Sequence, residues 1–173
     1  MSDDPFTLLG IDPGFDLDRA AIDRAYRARA ASIHPDLADP ETAADAAGAS
    51  ARLNDARATL ADPERRANAL LAVLGGPAAS DDRSLPDGFL MEMMDVRQRA
   101  EAECVTKEGH AEWDRWAAER RDASISDVSE LFELALSEGP GSPTLSEIRQ
   151  VLNAWRYIER MIEQLDPDHA DPM

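Results

Sequence analysis

His34-Pro35-Asp36 lies between two segments of helical periodicity, and its reading decides the fold of the first half of the chain. Upstream, Ile22, Ala25, Tyr26 and Ile33 recur at a spacing that places them on one helical face, and Asp16 or Asp18 is available to cap the first orphan N–H groups. Downstream, Ala46, Ala49, Leu53, Ala56 and Leu60 repeat the pattern. Pro35 ends the first helix, because proline disfavours the α region for the residue before it and donates no backbone hydrogen bond. The tripeptide is therefore expected on a solvent-facing loop joining two helices.

The remainder of the chain points to the same class. Alanine and leucine dominate, β-branched residues are sparse, and no alternating strand pattern occurs, so an all-α fold is expected. With 173 residues, 43% of them hydrophobic, the chain is long enough for one large or two small cores. A formal charge of −17 disfavours a nucleic-acid partner and an anionic membrane surface, since both require a basic face. Cys104 is the sole cysteine, which excludes an internal disulfide and a CxxC zinc site; it is expected as a small helix residue. Residues 1–5 show neither a basic n-region nor an apolar h-region, and no apolar run approaches membrane-spanning length, so a cytoplasmic location is expected.

A break at Gly75-Gly76-Pro77-Ala78-Ala79-Ser80-Asp81-Asp82 divides the chain. Before it, helices are predicted at Phe6 to Leu9, Asp18 to Ile33, Glu41 to Leu60, and from Pro63 with Asp62 as cap. After it, helices are predicted from an Asp87 cap to Lys107, from His110 to Ser137, and from Thr144 or Ser146 to Leu165, with Gly139-Pro140-Gly141-Ser142-Pro143 between the last two. Three helices on short connections should form an antiparallel bundle. The expected limits are 1–74 for the first domain, 75–86 for a linker, 87–166 for the bundle and 167–173 for an acidic tail.

Phe6-Thr7-Leu8-Leu9-Gly10-Ile11, Ala25-Tyr26, His34-Pro35-Asp36, Leu53-Asn54-Asp55-Ala56 and Leu60-Ala61-Asp62-Pro63-Glu64-Arg65-Arg66 resemble, in order and spacing, a J-domain. Phe89-Leu90-Met91-Glu92-Met93-Met94-Asp95-Val96-Arg97 and Ala154-Trp155-Arg156-Tyr157-Ile158-Glu159-Arg160-Met161 resemble the first and last bundle helices of the HscB-type iron–sulfur co-chaperones. The resemblance implies a non-enzymatic adaptor without a cofactor. Its J-domain would stimulate the ATPase of a DnaK or HscA-type chaperone, while the bundle carries an IscU-type scaffold protein.

On the chaperone side, Asp36 is the expected charged contact, with His34 and Pro35 shaping the loop. The predicted helix 18–33 carries Arg19, Arg24, Arg27 and Arg29 and is locally basic in an acidic chain. Arg24 and Arg27 are the candidates for steering toward an acidic chaperone surface. Arg29 falls on the apolar stripe, where J-domains usually carry leucine, and is expected to lay its stem along apolar surface with its head in water. Leu37 stands where the family commonly has lysine.

On the bundle side, Phe89, Met93, Val96 and Ala100 share one arc at about 100° per residue and are assigned to the core. Leu90, Met91 and Met94 point roughly 100 to 200° away and cannot all be buried by the same interface. On the last helix Ile148, Val151, Trp155, Ile158 and Ile162 form the expected core stripe, leaving Tyr157 for solvent or a partner. Exposed methionines in an apolar patch mark protein-binding surfaces. Leu90, Met91, Met94 and Tyr157, with Asp95, match the positions with which the family holds its scaffold, whereas the family's other acidic positions are Gln98 and Ala102 here.

Two further readings fit the same residues: a J-protein with a different client, and a J-like helical module that no longer stimulates a chaperone. No glycine-rich phosphate loop, nucleophile signature or HExxH spacing supports an enzyme or metal site, and His110 and His169 are remote from His34. If Leu70, Leu71 and Leu74 shared apolar contacts with Leu85, the two domains would be held in one orientation.

Overall fold

The computed structural model describes residues 4–32, 43–103 and 106–165, and among these every regular element is a helix. The chain divides into two compact units, residues 1–75 and 76–173.

In the first unit, α1 (Pro5–Leu9), α2 (Arg19–Ala31), α3 (Ala43–Ala61) and α4 (Pro63–Val73) follow the sequence signals closely. Asp4 accepts from the Thr7 amide at 2.9 Å, Asp18 from Ala20 at 3.1 Å and Asp62 from Arg65 at 2.8 Å, so three helices start on a side-chain acceptor. Gly10 closes α1 at φ 68°, a left-handed turn that costs glycine little. Helix α3 is the spine, because α1, α2 and α4 all pack on it.

Leu53, Ala56 and Leu60 of α3 are buried together with Phe6, Leu9, Ile22, Leu70 and Leu71. Each large apolar side chain so buried contributes about 1.5–3 kcal/mol relative to exposure. Of the predicted α2 stripe, Ile22 is fully buried and Ala25 and Tyr26 are half-buried. Ile33 and the side chain of Ala46 lie outside the described residues. Phe15, in the connection before α2, is buried although no helical period announces it. Arg66 of α4 covers it: the guanidinium stands 5.1 Å from the Phe15 ring centroid, and Nη1 donates to the Leu60 carbonyl at 2.6 Å. Burial pulls the Arg66 pKa below the ordinary arginine value, an effect opposed by Asp16 and Asp62.

In the second unit, α5 (Phe89–Glu103), α6 (Lys107–Glu138) and α7 (Thr144–Leu165) all touch one another. Pairing fixes their directions. Glu92 of α5 bonds Arg120 of α6, while Glu103 lies beside Gly109. Arg121 of α6 bonds Glu159 of α7, while Glu138 meets Thr144. Both neighbouring pairs are therefore antiparallel.

Helix α5 opens at Phe89, after Gly88 at φ 77°, two residues past the predicted Asp87 cap. Helix α6 begins at Lys107, earlier than predicted, because Thr106 caps it by accepting from the Gly109 amide at 3.0 Å. Gly109 is also required by space, since a Cβ there would collide with the Glu103 carbonyl.

The bundle core joins Phe89, Met93, Val96 and Ala100 of α5 to Trp113 of α6 and to Ala154, Ile158 and Met161 of α7. The four α5 residues are those the helical arc selected. On α7 the stripe is wider than predicted: Ile148, Trp155 and Ile158 are buried, Val151 and Ile162 are half-buried, and Leu152, Ala154 and Met161 are buried as well. A helix packed against two neighbours buries a broader face than one packed against a single partner. Trp113 and Trp116 stack with centroids 4.5 Å apart.

The segment read as a linker is attached to the bundle. Residues 76–86 group with the second unit, and Leu85 packs against the bundle core.

Candidate functional site

Each unit carries one candidate surface. In the first, α2 carries Arg19, Arg24, Arg27 and Arg29, all exposed, with Arg24 and Arg27 on the side turned from Ile22. Two polar contacts at matched heights hold α2 against α3. Asp23 pairs with Arg57 at 2.8 Å, and the Tyr26 hydroxyl donates to Asn54 Oδ1 at 2.7 Å. The Arg57 guanidinium also stands 5.1 Å from the Tyr26 ring centroid. The hydrogen bond from Arg57 holds the Asp23 carboxyl below its ordinary pKa, with added attraction from Arg57, Arg19 and Arg27.

Arg27 Nε caps back onto the Asp23 carbonyl at 3.1 Å, and its side chain remains exposed along with that of Arg24. Arg29 is exposed, and its guanidinium lies over Gly10 at the end of α1. His34, Pro35, Asp36 and Leu37 lie outside the described residues, as do Cys104 and the acidic tail.

In the second unit, the α5 face turned from the core is apolar at its start. Leu90 is 51% exposed, Met91 72% and Met94 69%, whereas Met93, adjacent to Met94, is 1% exposed. Asp95 is exposed beside them. Because Glu92 reaches Arg120 on α6, the opposite flank of α5, with Leu90 and Met94, is the flank toward α7. There Tyr157 is half-buried rather than free: its ring meets Phe89 edge-on, at 5.5 Å between centroids and 82° between planes. One turn along the same α5 flank, Arg97 and Glu101 pair with each other at 3.0 Å. The patch thus has a fixed aromatic wall, three flexible apolar side chains and a self-neutralised end.

Chain-distant polar contacts were not legible in the sequence. Arg121 grips Glu159 through Nε and Nη2, both at 2.7 Å, and Trp155 Nε1 donates to the same carboxylate at 3.1 Å. The bond to Glu159 raises the Arg121 pKa above its ordinary value, against the opposing effect of burial. Asn153 of α7 reaches back to residues 82–84. No motif flags either contact, because the partners stand 38 and about 70 residues apart. Among the described residues no group of three His, Cys, Asp or Glu side chains is placed to hold a metal ion, and no helix is long and apolar enough to cross a membrane.

Comparison with known proteins gives this arrangement a family. The DnaJ domain model matches residues 4–69. The "Co-chaperone protein HscB homolog" of Bordetella petrii is 30% identical over 95% of this chain and 95% of its own length. That of Burkholderia multivorans is 31% identical over 95% and 93%. In fold, the chain matches the crystal structure of human HscB with a TM-score of 0.79 at 22% identity, over 96% of this chain and 82% of that one. It matches HscB from Vibrio cholerae with a TM-score of 0.70 at 24% identity, over 94% and 95%. A J-domain match at one end and near full-length similarity to these relatives lead to one conclusion: the chain belongs to the HscB family of co-chaperones.

Proposed function

We propose that this protein is a two-ended adaptor in iron–sulfur cluster assembly. Its J-domain, residues 1–74, docks on a DnaK or HscA-type chaperone and stimulates ATP hydrolysis. Its bundle, residues 87–166, delivers an IscU-type scaffold protein to that chaperone. The exposure of Leu90, Met91 and Met94 beside Tyr157 carries this reading, because three large apolar side chains on one helical face are costly to leave in water without a partner. In this reading His34, Pro35 and Asp36 form the chaperone-contacting loop, Arg24 and Arg27 steer association, and Asp95 adds a charged contact to the scaffold. The protein contributes no chemistry of its own. Its site of action is the cytoplasm, where an ATP-driven chaperone is supplied with nucleotide.

The test is steady-state ATP turnover by the chaperone with scaffold present. His34→Gln is expected to abolish stimulation. The Met91→Ala, Met94→Ala, Tyr157→Ala triple variant is expected to keep stimulation by the J-domain but lose the synergy with scaffold. An unaltered response in the triple variant points to a different client, and no stimulation by the wild type reduces the protein to a J-like binding module.

A further inference from the structure

The apolar patch is built from two helices, and something must set the start of α5 against α7. Its residues line up with Tyr157 only if Phe89 sits where it does. The contacts that fix this point converge on Asn153, one turn before Tyr157 on α7. Its side-chain amide donates to two backbone carbonyls, Asp82 at 3.1 Å and Ser84 at 2.9 Å. Its Oδ1 accepts from Arg149 Nε at 3.0 Å, and Arg149 is itself buried, 4% exposed. The amide is therefore held in one orientation, with oxygen toward the arginine and both hydrogens toward the incoming chain.

The segment it grips is pre-shaped. The Asp82 carboxylate accepts from the Ser84 amide at 2.8 Å and from the Ser84 hydroxyl at 2.6 Å, closing a local turn that presents both carbonyls to Asn153. These two bonds, with attraction from Arg149, keep the Asp82 carboxyl below its ordinary pKa. Leu85 follows and packs against the core cluster to which Phe89 belongs, and α5 begins at Phe89. Arg149 and Asn153 thus hold the 82–84 turn on α7, and the chain runs from there through core-packed Leu85 to Phe89, where the helix that carries the patch begins.

We infer that Asn153 is a positioning residue for the client-binding patch, clamping residues 82–84 so that Leu90, Met91 and Met94 stand in register with Tyr157. No other side chain supplies this pattern at that length. Aspartate keeps the acceptor but lacks the donors, leucine matches the volume without polar atoms, and a serine hydroxyl offers one hydrogen for two carbonyls. The inference rests on the proposed scaffold-binding role of the patch.

The test is calorimetric titration of an IscU-type scaffold onto the full chain, comparing wild type, Met94→Ala, Asn153→Ala and the double variant. Asn153→Ala is expected to weaken binding about fivefold, the equivalent of about one net hydrogen bond. The double variant is expected to weaken binding by clearly less than the product of the single effects, because both changes act on one surface. Chaperone stimulation by Asn153→Ala without scaffold should be unchanged, which separates positioning from general loss of structure. Asp82→Ala, which loosens the turn while leaving the Asn153 amide in place, should weaken scaffold binding in the same direction and keeps the test valid if Asn153→Ala does not fold. Wild-type affinity in Asp82→Ala, or wild-type affinity or a strictly multiplicative double variant for Asn153→Ala, overturns the clamp. Wild-type affinity in Met94→Ala overturns the patch itself, a different failure.

Discussion

Met93 and Met94 are the same residue type at successive positions of one helix, and the proposed function requires them to fail in opposite ways. Met93 is 1% exposed within the bundle core, so Met93→Ala leaves a cavity and is expected to cost about 2–5 kcal/mol of stability. Met94 is 69% exposed, so Met94→Ala should change stability by no more than about 0.5 kcal/mol. Full burial of a methionine side chain is worth about 1.5–3 kcal/mol. A partner covering the exposed 69% therefore gains about 1–2 kcal/mol, or about five- to thirtyfold in Kd. Urea denaturation gives the stability of each variant, and calorimetric titration with scaffold gives Kd. A Met94→Ala protein that binds scaffold within twofold of wild type, at unchanged stability, refutes the assignment of this face to the client.

Three further predictions follow from contacts inside each unit. Gly109→Ala should destabilise the bundle by about 1–3 kcal/mol in denaturant melts, because the new Cβ meets the Glu103 carbonyl, a backbone atom that cannot swing aside. Arg66→Met should destabilise the first unit by about 1–3 kcal/mol, because the Leu60 carbonyl loses its charged donor and Phe15 its cation, although methionine retains much of the packing volume. Glu138 accepts from the hydroxyls of Ser142 and Thr144, which hold its carboxyl below the ordinary glutamate value. A lowered folded-state pKa adds stability that is present above the unfolded pKa and is lost as pH falls through the folded one. Ser142→Ala should therefore flatten the fall of Tm on acidification below the ordinary carboxylate range, as read by thermal melts across a pH series.

The helices were legible because their signals are local. Asp18 and Asp62 are read as caps in the sequence and cap their helices in the structure, and the arc of Phe89, Met93, Val96 and Ala100 needs only the 3.6-residue period. The exposure of Leu90, Met91 and Met94 followed from the same geometry, as the remainder left after the core took its share. Tyr157 was only half legible: the period turned it from Trp155, but its contact with Phe89 depends on how α5 meets α7. The same long-range dependence hid Asn153, whose asparagine reads in sequence as an ordinary polar position on an amphipathic helix. Arg66 was hidden for another reason, since a buried arginine runs against the usual partition of charge and is explained by the Leu60 carbonyl and the Phe15 ring that meet it, with Asp16 and Asp62 favouring its charge. Residues 76–86 carry glycine, proline and serine, the composition of a free connection, yet their backbone carbonyls are what the bundle holds.

The stacked pair Trp113 and Trp116 and the buried Trp155 account for all three tryptophans of the chain, and every one lies in the second unit. The first unit has Tyr26 as its largest chromophore. Light absorbed at the red edge of the protein spectrum therefore reports on the bundle alone, and the J-domain is dark at that wavelength. A single unlabelled sample can thus be watched in two colours of evidence at once: indole emission for the half that carries the client patch, and far-ultraviolet ellipticity for the whole chain. Any temperature at which ellipticity falls while indole emission holds is the melting of the J-domain by itself.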